Sequence, residues 1–248
     1  MYSLVSAKSQ LKSEVANSYL NWVWWILEPL CFMLIYMLIF GVVFKAQEEN
    51  FSVFIFIGIT MWDFFNRITR VSVPLIRNNK GVVSKVYLPK YILLLTKVWV
   101  NGFKMLISFG IIAAMMIITK VTLTWNVLYI IPVIITLALF SFGVGTILMH
   151  LGVTFDDLSN VTNIILRVVF YLTGIFYNVS ARIPAPFGQW MARVNPIAFL
   201  LESARNVLIY GRPVHLGWLA LWFVVSALLS YVGIKVVYKN ENNYVKVI

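Results

Sequence analysis

Residues 127–151 read VLYIIPVIITLALFSFGVGTILMHL, and the fold class follows from them. The stretch contains no Asp, Glu, Lys or Arg. A bilayer core about 30 Å thick takes about 20 helical residues to cross. Every backbone N–H and C=O in lipid needs an internal partner, so such a segment is a helix. The strict alternation of a β-barrel strand is absent. Working outward, five more segments of this kind follow: Pro29–Phe44, approached through Trp22, Trp24 and Trp25; Val53–Ile76; Tyr91–Thr119; Val161–Tyr177; and Leu216–Tyr238. The expectation is an all-α membrane protein with six transmembrane helices, forming a single transmembrane domain over 1–248.

Composition agrees. Of 248 residues, 61% are hydrophobic and 12% are charged, with a mean hydropathy of +0.87. Soluble globular proteins carry about 25% charged residues, so this chain cannot cover a water-facing surface. Nine Trp and 12 Tyr suit the lipid–water boundaries. The net charge of +11 would suggest nucleic acid in a soluble protein. Here it fits cytoplasmic loops and anionic lipid, and no nucleic-acid partner is expected. Cys31 is the single cysteine and lies in an apolar run. Residues 1–20 carry Lys8, Lys12 and Glu14 and show no signal-peptide core, so the first spans are expected to direct insertion.

The flanking segments have their own patterns. Leu4, Leu11, Val15, Tyr19 and Trp22 recur at helical spacing, with Lys8, Lys12 and Ser13 between them. This predicts an N-terminal amphipathic interface helix within residues 1–25, resting on the membrane, although a plain soluble helix has the same pattern. Arg77, Lys80, Lys85 and Lys90 fill the loop after the second span, and the C-terminal end holds Lys235, Lys239 and Lys246. The positive-inside rule therefore places both termini in the cytoplasm. Residues 178–215 then lie outside. Pro184 and Pro186, and later Asn195-Pro196, break this segment into two short helices, Phe187–Val194 and Ile197–Tyr210, the second ending at Gly211. Each is too short to span. They read as re-entrant helices between the fifth and sixth spans that help form a passage, or as an outer cap.

The search for catalytic chemistry finds no nucleotide-phosphate loop and no metal-ligand spacing around His150 or His215. No catalytic, metal or cofactor site is expected in this chain. Asp156-Asp157 reads as a helix cap ahead of the fifth span or as a docking contact in a cytoplasmic loop. Asp63 precedes Arg67 by one helical turn, the order that favours pairing. With Arg70, these two form either a neutralised trio or a contact for an anionic or sugar substrate. Trp62, Phe64, Phe65, Phe170, Tyr171, Phe176 and Tyr177 supply rings on which sugar C–H faces could stack, or simply pack. Residues 76–90 combine the basic residues with Val82, Val83, Val86 and Leu88 and end at Pro89-Lys90. This predicts a short amphipathic cytoplasmic helix whose apolar face needs lipid or protein as a partner.

These residues bear a family resemblance. Leu11-Lys12-Ser13, then Tyr19 to Leu30 (YLNWVWWILEPL), Val83 to Lys90 (VSKVYLPK), Asp156-Asp157, and Tyr171 to Tyr177 (YLTGIFY) with Ile183-Pro184 and Asn195-Pro196 resemble the transmembrane subunits of ABC type-2 polysaccharide exporters. That group moves O-antigen, teichoic acid and capsule chains. Glu202 and Arg205 fit its second re-entrant helix. The family pattern commonly has Pro where this chain has Gly174, Phe for Leu88, Arg for Lys90, and Arg-Asp at the Asp156 position.

The resemblance implies a homodimeric channel served by two copies of a separate ABC ATPase, with ATP and Mg on that partner. It implies that a lipid-linked polysaccharide crosses the cytoplasmic (inner) membrane between aromatic side chains; the candidate passage residues are Trp62, Asp63, Phe65, Arg67, Arg70, Phe170, Tyr171, Phe176 and Tyr177, of which Asp63 is unusual for the family pattern. Lys8, Lys12, Arg77, Lys80, Lys85, Tyr87, Pro89 and Lys90 would couple the ATPase to the spans. Pro184, Asn195, Pro196, Glu202 and Arg205 would build the outer helices. A type-2 permease for a drug or lipid, or an ion-coupled carrier, remains the alternative.

Overall fold

A computed structural model gives the fold and describes residues 2–16, 21–43, 50–85, 88–184 and 186–247. Among them every regular element is helical. In chain order these are α1 (Tyr2–Ala16), α2 (Asn21–Tyr36), a π-helical continuation (Met37–Val43), α3 (Phe51–Ser72), α4 (Leu75–Asn78) and α5 (Lys80–Lys85). Then come α6 (Tyr91–Ile118), a 3-10 turn (Trp125–Tyr129), α7 (Ile130–Thr154), α8 (Leu158–Leu172), α9 (Val179–Arg182), α10 (Phe187–Val194), α11 (Pro196–Leu208) and α12 (Leu216–Val247).

Among the described residues, five helical stretches are long and apolar enough to cross a membrane: Val23–Phe40, Phe51–Ser72, Tyr91–Ile118, Trp125–Thr154 and Leu216–Glu241. The chain is a multi-pass membrane protein. The expected fifth span, Val161–Tyr177, differs. Its helix, α8, has 15 residues and stops at Leu172. Gly174 then adopts φ 71°, a left-handed conformation that breaks the helical ladder. The first span also begins earlier than expected. Pro29 lies inside α2 rather than at its start, where it removes one backbone hydrogen bond.

The core is organised around α3, which packs against α2, α6, α7, α8 and α11. Val53 through Trp62 are all buried. α7 and α12 pair along their length. Small residues permit that contact: a Cβ on Gly233 would collide with the Thr146 hydroxyl, and one on Gly143 would press on the backbone of Leu229 and Ser230.

Two expected short helices after α8 are present. Phe187–Val194 forms α10 as expected, and α11 begins at Pro196. Asn195 is its N-cap: the side-chain oxygen accepts from the N–H groups of Ile197 and Ala198, while Pro196 occupies a position with no donor to satisfy. α11 is buried almost throughout and packs on α7, α3 and α10.

The basic loop is two short pieces, α4 and α5, rather than one helix. Its apolar side chains Leu75, Ile76 and Val83 join the protein's own core. Part of the apolar face therefore finds its partner internally. Val86 and Tyr87 lie outside the described residues, as does Tyr19 of the N-terminal pattern.

Candidate functional site

Charged side chains gather where α1, α2, α3 and α6 meet. A cavity of about 220 Å³ there is lined by Glu14, Glu28, Asp63, Arg67 and Lys104, with Thr60, Asn101, Ser108, Trp24 and Trp25. Four of the charges pair across helices. Arg67 donates to Glu28 at 2.9 Å, and Lys104 to Glu14 at 2.7 Å. Lys104 also lies over the Trp25 ring, 5.1 Å from its centroid.

The expected Asp63–Arg67 neutralisation is therefore replaced by an Arg67–Glu28 pair. Within one helix, Arg67 reaches across to α2 instead of back one turn, and Asp63 takes part in no ion pair among the described residues. Thr60, one turn before Asp63, is buried and its hydroxyl has no partner among the described residues. Arg70 donates to Asn66 at 2.9 Å. Asp63, Asn66, Arg67 and Arg70 recur at three- and four-residue spacing and make one polar stripe along α3.

The expected aromatic residues cluster beside that stripe. Trp62 meets Phe170 edge-on at 5.4 Å, Phe170 meets Phe176 at 5.4 Å, and Phe176 lies parallel to Phe40 at 4.3 Å. Trp62, Phe65 and Phe176 are packed inside the core. Tyr171 stands out at 67% exposure, its carbonyl accepting from the Tyr177 hydroxyl at 2.8 Å. Tyr36 on α2 packs against Phe176, with ring centroids 4.7 Å apart. The polar stripe of α3 and the exposed end of α8 thus flank one region.

Arg205 lies in α11, the second of the two short helices. It is buried, and its guanidinium donates to the carbonyls of Phe54, Gly174 and Ile175. It ties the start of α3 to the left-handed turn after α8. Glu202 accepts from Ser180 at 2.9 Å and lines a polar cleft with Asn206 and His215. Pro184 is exposed.

Among the expected coupling residues, Lys8, Lys12 and Lys80 are exposed. Lys90 is buried, Pro89 is half-buried, and the side chains of Lys85 and Tyr87 fall outside the described set. Arg77 is engaged internally: it pairs with Asp156 and donates to the Val153 carbonyl at 3.0 Å. Asp157 is the residue at the N-cap of α8 but forms no side-chain capping bond. The capping reading of Asp156-Asp157 gives way to a tie between α4 and the α7–α8 turn, because the Arg77 fork reaches the turn first.

The profile of the ABC-2 type transporter family matches residues 4–209. The chain belongs to the ABC-2 type transporter family. This ABC-2 chain is 26% identical over 246 residues to the O-antigen export system permease protein RfbA of Klebsiella pneumoniae, covering 99% of the chain and 94% of the relative. It is 26% identical to the protein of the same name from Myxococcus xanthus, covering 82% and 78%. The polysialic acid transport protein KpsM of Escherichia coli is 25% identical, covering 89% and 87%.

Sequence reading passed over several charges of this ABC-2 chain. Glu28, Lys97, Lys104 and Arg167 each sit inside an apolar segment, and an ionisable residue at membrane depth signals function or pairing by default. That signal was present in the sequence for all four. The pairing of Glu28 with Arg67 and of Lys104 with Glu14 needed the three-dimensional arrangement.

Proposed function

We propose that this chain is the permease subunit of an ATP-driven exporter that moves a lipid-linked cell-surface polysaccharide across the cytoplasmic membrane. One observation carries the reading: hydrogen-bonding and aromatic side chains gather on α3 and α8 at membrane depth, in a chain that aligns end to end with O-antigen permeases. Sugars need hydroxyl partners and ring faces, and the Asp63–Arg70 stripe beside the accessible rings Phe170, Tyr171 and Tyr177 supplies both.

In this reading α8 completes six spans, and both termini face the cytoplasm. α1 lies at the interface, and α10 and α11 form a re-entrant pair. The chain works as a homodimer with two ATPase copies, which hold ATP and Mg. Lys8, Lys12, Lys80 and Lys85 meet the ATPase, and Arg77 relays its movement to Asp156. No catalytic group or cofactor is assigned to this chain.

A second reading, a permease for a small hydrophobic molecule, draws on an apolar groove of about 710 Å³ between α6, α7 and α12. The test is ATP hydrolysis by the chain reconstituted with its ATPase. Stimulation by a lipid-linked glycan, and none by the free lipid, is expected. Stimulation by small hydrophobic compounds alone would favour the second reading. Failure to retain any ATPase would overturn both.

A further inference from the structure

Arg167 lies within the apolar run of α8, between Ile165 and Val168, and it is exposed. A guanidinium cannot shed its charge. Arg167 takes no part in the Arg67–Glu28, Arg77–Asp156 or Lys104–Glu14 pairs, and its side chain makes no hydrogen bond among the described residues. A permanent charge at this depth does not rest against hydrocarbon; it faces a bundle interior or a watery cavity.

Snorkelling offers no relief. The nearer end of α8 is Leu172, about 7.5 Å away at 1.5 Å per residue. Helical side chains lean the other way, towards the N-terminus. In that direction the end lies about 13 Å off, beyond easy reach.

Arg167 also has company. Asn160, Asn163, Arg167 and Tyr171 recur at three- and four-residue spacing, so they share one stripe of α8. That stripe ends at Tyr171, whose ring meets Phe170 edge-on at 5.3 Å, and Phe170 in turn meets Trp62 of α3, the neighbour of Asp63, at 5.4 Å. The polar rows of α8 and α3 therefore border the same space.

We propose that Arg167 lines the passage and binds anionic groups of the cargo, phosphate or carboxylate, with Asn163 as a second donor on the same face. The inference rests on the export reading above and adds a charge preference to it. An arginine fork suits either anion.

The test uses the complex with its ATPase in nanodiscs, in a Cys31→Ser background. Ile164→Cys, exposed one turn from Arg167, is treated with membrane-impermeant thiosulfonates of either charge. Leu228→Cys, an exposed α12 position outside the apolar groove, is the lipid-facing control. Ile164→Cys is expected to react at least ~10-fold faster than the control, because a thiol in hydrocarbon does not ionise. Arg167→Gln is expected to slow the anionic reagent selectively, and Arg167→Lys to restore it. Protection by polysialic acid assigns the preference to carboxylates of the chain, and protection by polyprenyl phosphate assigns it to the lipid anchor. Dextran should protect in neither case. Labelling of Ile164→Cys no faster than the control, equal protection by dextran, or indifference of both reagents to Arg167→Gln would overturn the inference. Glycan-stimulated ATP hydrolysis would persist under those results, whereas its absence in the parent complex marks failure of the export reading itself.

Discussion

The guanidinium carbon of Arg205 lies 3.4 Å from the centroid of the Phe54 ring, while its nitrogens hold the carbonyls of Phe54, Gly174 and Ile175. One side chain therefore fastens α11 to the start of α3 and to the turn that ends α8. It also fills the space beside Gly58, where an added Cβ would meet it at 2.7 Å.

Arg205→Ala leaves the buried carbonyls of Gly174 and Ile175 short of a donor, while the Phe54 carbonyl keeps its helical partner within α3. Each orphaned group costs about 1–3 kcal/mol, so a large fall in the melting temperature of the detergent-solubilised protein is expected. Arg205→Lys should recover only part of it, because an ammonium lacks the planar fork. Unchanged melting in Arg205→Ala would show that the clamp carries no stability.

Gly174 is the second half of that clamp. Pro, the residue common at this position in the polysaccharide-exporter pattern, holds φ near −65° and cannot adopt the observed 71°. Gly174→Pro should abolish folding or export here. Gly174→Ala should cost about 1–2 kcal/mol from the left-handed backbone, plus the crowding of its Cβ against Val179. Thermal unfolding of both variants checks the order.

The Glu14–Lys104 bond holds α1 against α6, and both side chains are mostly buried. Glu14→Gln should cost about 1.5 kcal/mol, as expected for a charge-assisted hydrogen bond. The loss should be local, with faster amide exchange in α1 than in α3. A double cycle with Lys104→Met should return a coupling of similar size.

Asp156→Asn should behave differently. Asp156 is largely exposed, so its pair with Arg77 contributes less than about 1 kcal/mol to stability. Melting should barely change, while coupling of ATP hydrolysis to export falls. A stable, fully coupled Asp156→Asn protein would remove Arg77 from the relay.

At the far end of α12, beyond the apolar stretch, Tyr244 shares a 2.8 Å hydrogen bond with His150 of α7. Burial, and then the Glu241 carboxylate, raise the Tyr244 phenol above its usual 10.0. A raised folded-state value means the contribution is intact below pH 10.0 and is lost as pH climbs from there towards the folded value. Stability should be flat between neutral and mildly alkaline pH and decline above it. Tyr244→Phe should shrink that alkaline decline and cost about 1 kcal/mol at neutral pH.

The long spans were legible because twenty apolar residues in a row permit little else; the 127–151 segment alone decides the class. Helix ends were less legible. The apolar run through Tyr177 conceals the turn at Gly174, since hydropathy carries no information about φ. Phe187–Val194 and the Asn195-Pro196 cap were readable from local chemistry, with proline and a capping amide in fixed places. The charge pairs were not. Glu28 and Arg67 are 39 positions apart, and Lys104 and Glu14 are 90 apart, so only the packing of α2 on α3 and of α1 on α6 reveals them. Arg205 was visible as a residue of the second short helix, but its burial under Phe54 depends on long-range contacts.

The brevity of α8 has a consequence for the lipid around it. Fifteen residues rise about 22 Å, well short of a hydrocarbon layer about 30 Å deep. If α8 faces that layer, the bilayer must dimple beside it, or neighbouring helices must screen the gap. Such a protein senses acyl-chain length. In bilayers of shorter-chain lipids the dimple shrinks, and export through the α8 side should become easier, while thick, sterol-stiffened bilayers should oppose it.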